Sequence, residues 1–377
     1  MRIWRSHSPY RGAVAVRDEP KTALDAPGAT RGLRQWFPWW AVVVPWLVSR
    51  VLSVGVLLAA ANDPLRGSRL VQLTVRWDGA HYLAIARDGY GAVGVEFPRW
   101  AFFPGFPAVI RFLGELGRDD VLTFALNQLV FLVALAGVHR IARRHGSPRA
   151  ASLAVWALAL FPASFVFSMT YPSSLFLAAS VWAFVFVDAR GVPGRDWWAG
   201  VLAAAAAIVR PNGLIVAVSL VVAVWSVRRA IAVVLPTVGV LAAWCWYCYD
   251  RTGDAFVFLT VKERWQEIGA VDLVTGGEKW SVLPHAVLAL AALAVVVYQR
   301  RRLPVAFLVL AALALLPPLV TGMVGLARYA NECFPPFVAA GQLLERWSSR
   351  VQVALLSASA VGLVGFAFFV SRYGLVP

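Results

Sequence analysis

Long apolar stretches separated by short polar connections dominate the pattern of this chain. They fall near residues 37–61, 120–138, 150–169, 173–188, 197–209, 213–227, 230–249, 281–298, 304–322, 334–344 and 351–371. A helix needs about 20 mainly apolar residues to cross the hydrocarbon core of a bilayer. A span in lipid must satisfy its own backbone hydrogen bonds, and the stretches lack the alternation of membrane strands. The pattern predicts an all-α polytopic membrane protein with about eleven transmembrane helices.

Composition supports a membrane protein and argues against a nucleic-acid-binding one. Of the 377 residues, 60% are hydrophobic and 15% are charged, and the mean hydropathy is +0.68. The net charge of +15 comes from bases scattered between apolar spans, which the positive-inside rule explains better than a polyanion partner does. Residues 1–35 differ, because Arg, Lys, Pro and Gly replace the apolar runs. We therefore expect a disordered cytoplasmic tail at 1–35 and one multi-spanning domain at 36–377.

The polar connections divide into two groups when the spans alternate in direction from a cytoplasmic start. Arginine-rich connections at 139–149, 188–195, 227–229, 299–302 and 345–350 fall on one side. The other side receives the loops 62–118 and 250–280, the turns at 171–172 and 210–213, and the segment 323–333. Arginine-rich loops mark the cytoplasm, although the long first loop also contains arginines. The candidate functional residues therefore fall on the predicted extracytoplasmic side.

The first long loop contains the run RWDGAHYLAIARDGY at residues 76–90. Helical spacing places Asp78 and Tyr82 on one stripe and His81 on the next, which predicts an amphipathic interfacial helix. The aromatic side chains of the loop would then lie at headgroup depth: Trp77, Tyr82, Tyr90, Phe97 and Trp100. A carboxylate at the water boundary can accept a proton from a hydroxyl group. Alternatively, Asp78 caps the helix and pairs with Arg76 or His81.

This run, followed by AFFPGFP at 101–107, resembles the signature of the GPI mannosyltransferase II (PIG-V-like) family, a branch of the GT-C membrane glycosyltransferases. Three later stretches fit the same family in the same order. They are FPASFVFSMTYPSSLF at 161–176, RPNG at 210–213, and ARY at 327–329 followed by Phe334 and Pro335. The preference for arginine over lysine and the alanine content indicate a bacterial-type member, located in the plasma membrane.

The resemblance implies a GT-C-like bundle whose active site faces the extracytoplasmic side. It also implies a sugar donor linked to polyprenyl phosphate, with mannose as the expected sugar. Asp78 matches the aspartate of the family's Trp-Asp motif and would act as general base in an inverting transfer. The acceptor would be a glycolipid, a glycan or a protein. No cofactor is expected, and the residues do not indicate a divalent metal.

A lipid-phosphate leaving group needs cations, since negative charge builds on its bridging oxygen. Arg210 and Arg328 are the candidates, because guanidinium groups bind phosphate bidentately. The alternatives are a snorkelling interfacial arginine for Arg210 and a surface residue for Arg328. The candidate substrate-binding residues complete the predicted site: His81, Tyr82, Glu96, Tyr171, Asn212 and Tyr329.

Three polar residues, two of them among these candidates, have interpretations that the sequence leaves open. Glu96 could orient the acceptor or help to hold a metal ion, or it could be a solvated glutamate. Tyr171 belongs to a Tyr-Pro-Ser turn that either lines the donor groove or is a simple hairpin turn. Arg50 lies inside the first apolar span, where a buried ion pair with an acidic residue is expected.

A second function class competes with the enzyme. A transporter or flippase of lipid-linked or amphiphilic substrates would show charged residues at mid-bilayer and inverted-repeat halves with broken spans. The sequence shows no convincing repeat, and its polar residues collect on one predicted side. A third possibility is a glycosyltransferase of another membrane family with a different donor sugar. The three cysteines are interpreted as small apolar residues without a metal.

Overall fold

The computed structural model describes residues 39–59, 74–91, 99–189, 191–263, 279–321 and 325–373. Every regular element in these ranges is helical, as the apolar pattern predicts. The tail predicted at 1–35 lies outside the described residues.

The helices in the first half of the chain are α1 (Trp39–Ala59), α2 (Asp78–Asp88), α3 (Gly105–Leu116), α4 (Asp119–Arg144), α5 (Pro148–Ala159), α6 (Ser173–Val187) and α7 (Arg195–Val209). Those in the second half are α8 (Leu214–Val224), α9 (Val227–Thr252), α10 (Val257–Glu263), α11 (Lys279–Tyr298), α12 (Val305–Thr321), α13 (Leu326–Glu332), α14 (Pro335–Leu344) and α15 (Ser349–Tyr373). Short 3₁₀ segments occupy Arg99–Ala101, Pro162–Ser168 and Pro211–Gly213.

The positions of the predicted apolar spans agree with helices, but the count of eleven full transmembrane helices is not confirmed. Four helices in the described ranges are long and apolar enough to cross a membrane alone, namely α1, α4, α9 and α15. A bent pair of segments can add a fifth span. Four further apolar helices are shorter than a full span, so each either crosses part of the membrane or packs within the bundle.

The predicted span 150–169 is broken. The helix α5 and the 3₁₀ segment at 162–168 meet at an angle of 74°. Pro162 lacks a backbone donor and disfavours helical geometry at Phe161, whose ψ of 138° is extended. Side chains from other helices donate to the carbonyls freed at the bend: Ser359 to Leu160, Asn331 to Ala163 and Arg50 to Ser164. The break therefore keeps its backbone polar groups satisfied inside the protein.

Arg50 is buried, but the ion pair expected for it is not formed within the described part of the chain. Its guanidinium donates to the Ser168 hydroxyl at 2.8 Å and to both oxygens of Ser164 at 2.9 Å. The guanidinium also lies 4.6 Å from the ring centroid of Phe131. Hydroxyl and carbonyl dipoles and an aromatic face thus take the place of a carboxylate.

The arginine-rich connections lie together at one end of the bundle. His145 Nε2 lies 3.3 Å from Asp188 Oδ2, which joins the α4–α5 connection to the α6–α7 connection. Further hydrogen bonds join the others: Ser147 to Glu345, Gln342 to His145, Arg346 to Gln299 and Arg229 to Val187. The opposite ends of the same helices face the other way, since α6 begins at Ser173 and α7 ends beside Arg210. The two groups of connections are therefore separated in space.

The first loop folds back onto α9 and α10 through its aromatic residues, which pack inside the protein. Tyr82, Tyr90 and Trp100 are buried in a cluster with residues of α9 and α10. The ring of Tyr90 lies 4.8 Å from that of Trp100 and 5.2 Å from that of Trp244. Trp77 packs against a separate core cluster, and Phe97 lies outside the described residues. Aromatic packing within the protein thus fixes the position of α2.

Candidate active site

A cavity of about 470 Å³ lies between α2, the 3₁₀ segment at 99–101, the turn at 210–213, α12 and α13. Six of the residues predicted from sequence line it: Asp78, Tyr82, Arg210, Asn212, Arg328 and Tyr329. Another part of its wall is apolar and comes from α8 and α12: Leu214, Ile215, Leu313, Ala314, Pro317 and Pro318. Such a cavity fits an amphiphile with an anionic head.

Asp78 is the first residue of α2, and its carboxylate faces the interior of the cavity. Arg328 Nη1 donates to Asp78 Oδ2 at 2.7 Å, and the Asp78 side chain is 22% exposed. Arg76, one of the alternative partners considered from sequence, instead donates at 2.9 Å to the carbonyl of Ser371. The dipole of α2 favours a negative charge at this N-terminal position. Asp78 is therefore a partly accessible hydrogen-bond acceptor at the cavity.

The backbone just before Asp78 adopts a conformation that is rare for a bulky residue. Trp77 has φ 47° and ψ −120°. Such conformations cost on the order of 1–3 kcal/mol and persist only where the surroundings impose them. Two long-range contacts hold this segment: Thr170 N donates to Thr74 O at 3.0 Å, and the Tyr171 hydroxyl donates to Arg76 O at 3.3 Å. The position of Asp78 is thus fixed by the tertiary structure.

Arg210 is brought to the cavity by the Arg-Pro-Asn-Gly turn between α7 and α8. Gly213 in this turn lies directly on α7, where a β-carbon would collide with the backbone of Ala206 and Ala207. The Arg210 side chain is 7% exposed, and its Nη1 donates to Glu332 Oε2. The snorkelling alternative is therefore wrong: this guanidinium is held inside the protein by a carboxylate.

Arg328 is enclosed by aromatic rings. Its guanidinium carbon lies 5.2 Å from the ring centroid of Tyr171 and 5.9 Å from that of Tyr329. The Arg328 side chain is 9% exposed, so the alternative of a surface arginine is wrong. Its Nε is buried and has no hydrogen-bond partner within the described ranges. Cation–π contacts therefore fix the guanidinium in place while leaving a donor available.

Glu332 is the member of the site that the sequence analysis missed. It is 1% exposed and accepts a hydrogen bond from the Ser173 hydroxyl at 2.5 Å as well as the one from Arg210. Two signals could have identified it. Glu332 follows Arg328 by four residues and so shares its helix face. A buried arginine at position 210 also favours a carboxylate partner.

The other predicted residues have varied positions. Tyr82 lines the cavity with its ring edge-on to Phe102, and Asn212 lines it from the turn. Tyr171 is buried beneath Arg328 and does not line the cavity, so it supports the site from behind. Glu96 lies outside the described residues.

His81 lies one turn along α2 and is not among the residues that line the cavity. Its ring stacks on Phe102 with the centroids 5.2 Å apart. Burial lowers the pKa of His81, Asp78 opposes that shift, and Arg99 adds to it. Since its ordinary pKa is about 6.5, His81 is mainly neutral at pH 7. Its ring therefore packs beside the site and does not add a positive charge to those of Arg210 and Arg328.

A metal site is not evident in the described part of the chain, where no three His, Cys, Asp or Glu side chains come close together. The described residues of the cavity provide one accessible carboxylate, two guanidinium groups and aromatic hydroxyls. This set can accept a proton and bind an anion.

Comparisons with known proteins agree with these features. No family model matches the chain. It is 34% identical over 154 residues to GPI alpha-1,6-mannosyltransferase 2 of Cricetulus griseus, and equally identical over 155 residues to the Rattus norvegicus protein. Each match covers 37% of this chain and 29% of the relative's length.

The fold is similar to that of the Archaeoglobus fulgidus oligosaccharyltransferase. The structure with a tethered acceptor peptide matches with a TM-score of 0.50 and 14% identity, covering 91% of this chain and 56% of that one. The structure of the archaeal enzyme with an inhibitory peptide and a dolichol-phosphate also has a TM-score of 0.50, at 13% identity, covering 92% and 56%. This chain is similar in sequence to these mannosyltransferases over part of its length and similar in fold to the archaeal oligosaccharyltransferase. With its long apolar helices, it is an integral membrane protein.

Proposed function

We propose that this PIG-V-like chain is a membrane glycosyltransferase. It transfers a sugar, with mannose as the expected one, from a polyprenyl-phosphate donor to an acceptor hydroxyl outside the cytoplasm. The relatives are named for mannosyl transfer, which supports the sugar, and a dolichol-phosphate occupies an enzyme of similar fold, which supports the donor class. The observation that carries the proposal is the single cavity lined by Asp78, Arg210 and Arg328.

Asp78 acts as the general base of this reaction. The acceptor oxygen attacks the anomeric carbon, and its proton passes to the Asp78 carboxylate. The bond between the anomeric carbon and the phosphate oxygen breaks, and its electron pair stays on the phosphate. Attack on the face opposite the leaving group inverts the anomeric centre, so that no second catalytic carboxylate is needed. The acceptor is a glycolipid, a glycan or a protein.

Arg210 and Arg328 stabilise the leaving phosphate. Both guanidinium groups are almost fully buried, so their interaction with a developing negative charge is weakly screened by water. The apolar wall formed by residues of α8 and α12 accommodates the first isoprene units. By the positive-inside rule, we infer that the arginine-rich end of the bundle faces the cytoplasm and that the cavity opens at the extracytoplasmic end.

The test is turnover of Asp78→Asn in vesicles supplied with labelled polyprenyl-phospho-mannose and a panel of acceptors. The loss of a general base lowers the transfer rate by about 10²-fold or more. Asp88→Asn is the matched control, because Asp88 ends the same helix, is 64% exposed and lies 3.5 Å from Arg99. We expect it to retain normal turnover.

Normal turnover in Asp78→Asn would refute the assignment of the base. Movement of intact donor lipid across the membrane, without cleavage in any variant, would indicate a transporter or flippase instead. A panel of lipid-linked sugars identifies the donor, and preference for another sugar would refute mannose.

A further inference from the structure

The charged groups of the cavity form two separate arginine–carboxylate pairs. Arg210 pairs with Glu332, and Arg328 pairs with Asp78. With each pair neutral, the cavity carries no net charge from these four groups, which stabilises it at low dielectric. An incoming lipid phosphate is anionic, so at each arginine it meets a carboxylate that already holds part of the guanidinium group.

The Arg210–Glu332 pair is fixed. The Glu332 side chain is 1% exposed, and its second oxygen accepts the hydrogen bond from Ser173. If this carboxylate left Arg210, it would remain buried and would lose a hydrogen bond to a charged group, which is strongly unfavourable. Glu332 therefore stays in place when an anion enters, and Arg210 presents its other N–H groups.

The Arg328–Asp78 pair can open. The Asp78 side chain is 22% exposed at the cavity, compared with 1% for Glu332. The N-terminus of α2 stabilises its charge independently of Arg328. Arg328 is held by the rings of Tyr171 and Tyr329 and has a buried Nε without a partner in the described ranges, so it remains in position without Asp78.

We propose that the phosphate of the donor lipid displaces Asp78 from Arg328, and that Asp78 is released to act as a base only when the donor is bound. This inference rests on the proposed function, because it concerns the donor and the base of the same reaction. Before displacement, the hydrogen bond from Arg328 occupies Asp78 Oδ2, so this oxygen is not free to receive a hydrogen bond from the acceptor hydroxyl. After displacement, Arg328 neutralises the phosphate, and the free carboxylate faces the acceptor.

The charges balance through the steps of donor binding and sugar transfer. A donor phosphodiester brings one negative charge, which replaces that of Asp78 at Arg328. In the transfer, Asp78 gains the acceptor proton as the phosphate gains a second negative charge. The total charge of the cavity is the same before and after the transfer. The exchange also makes the donor the first substrate to bind, because the acceptor finds a free base only afterwards.

The test measures the affinity of a polyprenyl phosphate, without sugar, for the full chain in nanodiscs. Four proteins are compared: the wild type, Asp78→Asn, Arg328→Gln and the double variant. If Asp78 competes with the phosphate, Asp78→Asn binds about tenfold more tightly, as expected for the loss of one charged hydrogen bond. Arg328→Gln binds more weakly. Adding Asp78→Asn to Arg328→Gln changes the dissociation constant by less than about twofold, because the competition acts through Arg328.

Weaker or unchanged binding by Asp78→Asn would overturn the inference, since Asp78 would then only position Arg328. If Asp78→Asn increased the affinity equally in the wild type and in Arg328→Gln, the inference would also be overturned, because this would indicate a general charge effect. Unfolding midpoints establish that each variant is folded, and polyprenol without phosphate shows that the effect depends on the anion. If the wild type does not bind polyprenyl phosphate at all, the proposed donor is wrong. Loss of transfer with unchanged binding in Asp78→Asn would support the function and refute only this inference.

Discussion

Replacement of Glu332 by Gln tests whether this buried carboxylate stabilises the site. Gln preserves the shape of the side chain and an acceptor for Ser173, but it removes the charge opposite Arg210. The two side chains are 1% and 7% exposed, so water cannot solvate the arginine that remains. Removal of one partner from a buried pair costs about 3–5 kcal/mol. The ring of Tyr329, 5.5 Å from the guanidinium carbon, offsets part of this. We therefore expect a loss of about 3 kcal/mol.

The assay is the unfolding midpoint of the detergent-purified protein in a double-mutant cycle. Arg210→Gln is the second change, and the double variant carries no unpaired charge. It should be more stable than the sum of the single effects predicts, by about 2 kcal/mol. Glu345→Gln is the control, because Glu345 is a half-buried carboxylate that accepts a hydrogen bond from Ser147 at the other end of the bundle. Its loss should cost less than about 1.5 kcal/mol. Wild-type stability of Glu332→Gln, or strict additivity in the cycle, would refute the reasoning.

Two further predictions concern packing and pH. Gly341→Ala should destabilise the protein by about 1–3 kcal/mol, because the new methyl group would meet the Ala150 carbonyl where α14 crosses α5. Gly239→Ala, which faces open space within α9, should be neutral or stabilising in the same unfolding measurement, and equal effects would contradict this. Burial lowers the pKa of His81, so the unfolded chain binds its proton at a higher pH than the folded protein does. The contribution of His81 to the free energy of unfolding is therefore fully present above about pH 6.5 and declines below it. When unfolding midpoints are measured from about pH 7.5 to 5, His81→Gln should lack the part of the decline that comes from this group. Parallel curves for the two proteins would contradict this prediction.

Much of the architecture could be predicted from the sequence because the bilayer constrains it locally. Apolar runs near the length of a span must form helices in lipid, and the observed helices follow the predicted stretches closely. The number of full spans could not be predicted. An apolar helix of about 15 residues can cross part of a membrane or pack inside the bundle, and hydropathy does not distinguish the two. Pro162 and the side chains that satisfy the carbonyls around it decide that 148–168 bends.

The sequence by itself determined a helical membrane protein, its two groups of connections and the charged residues that line one cavity, because each depends on local composition, spacing or family motifs. Only the tertiary structure decided how those residues are paired. Asp78 and Arg328 are separated by 250 positions, and Arg210 and Glu332 by 122. Partners for buried charges are chosen by the packing of distant helices and not by neighbouring residues. For the same reason, the pairing of Glu332 with Arg210 was established only by the folded chain.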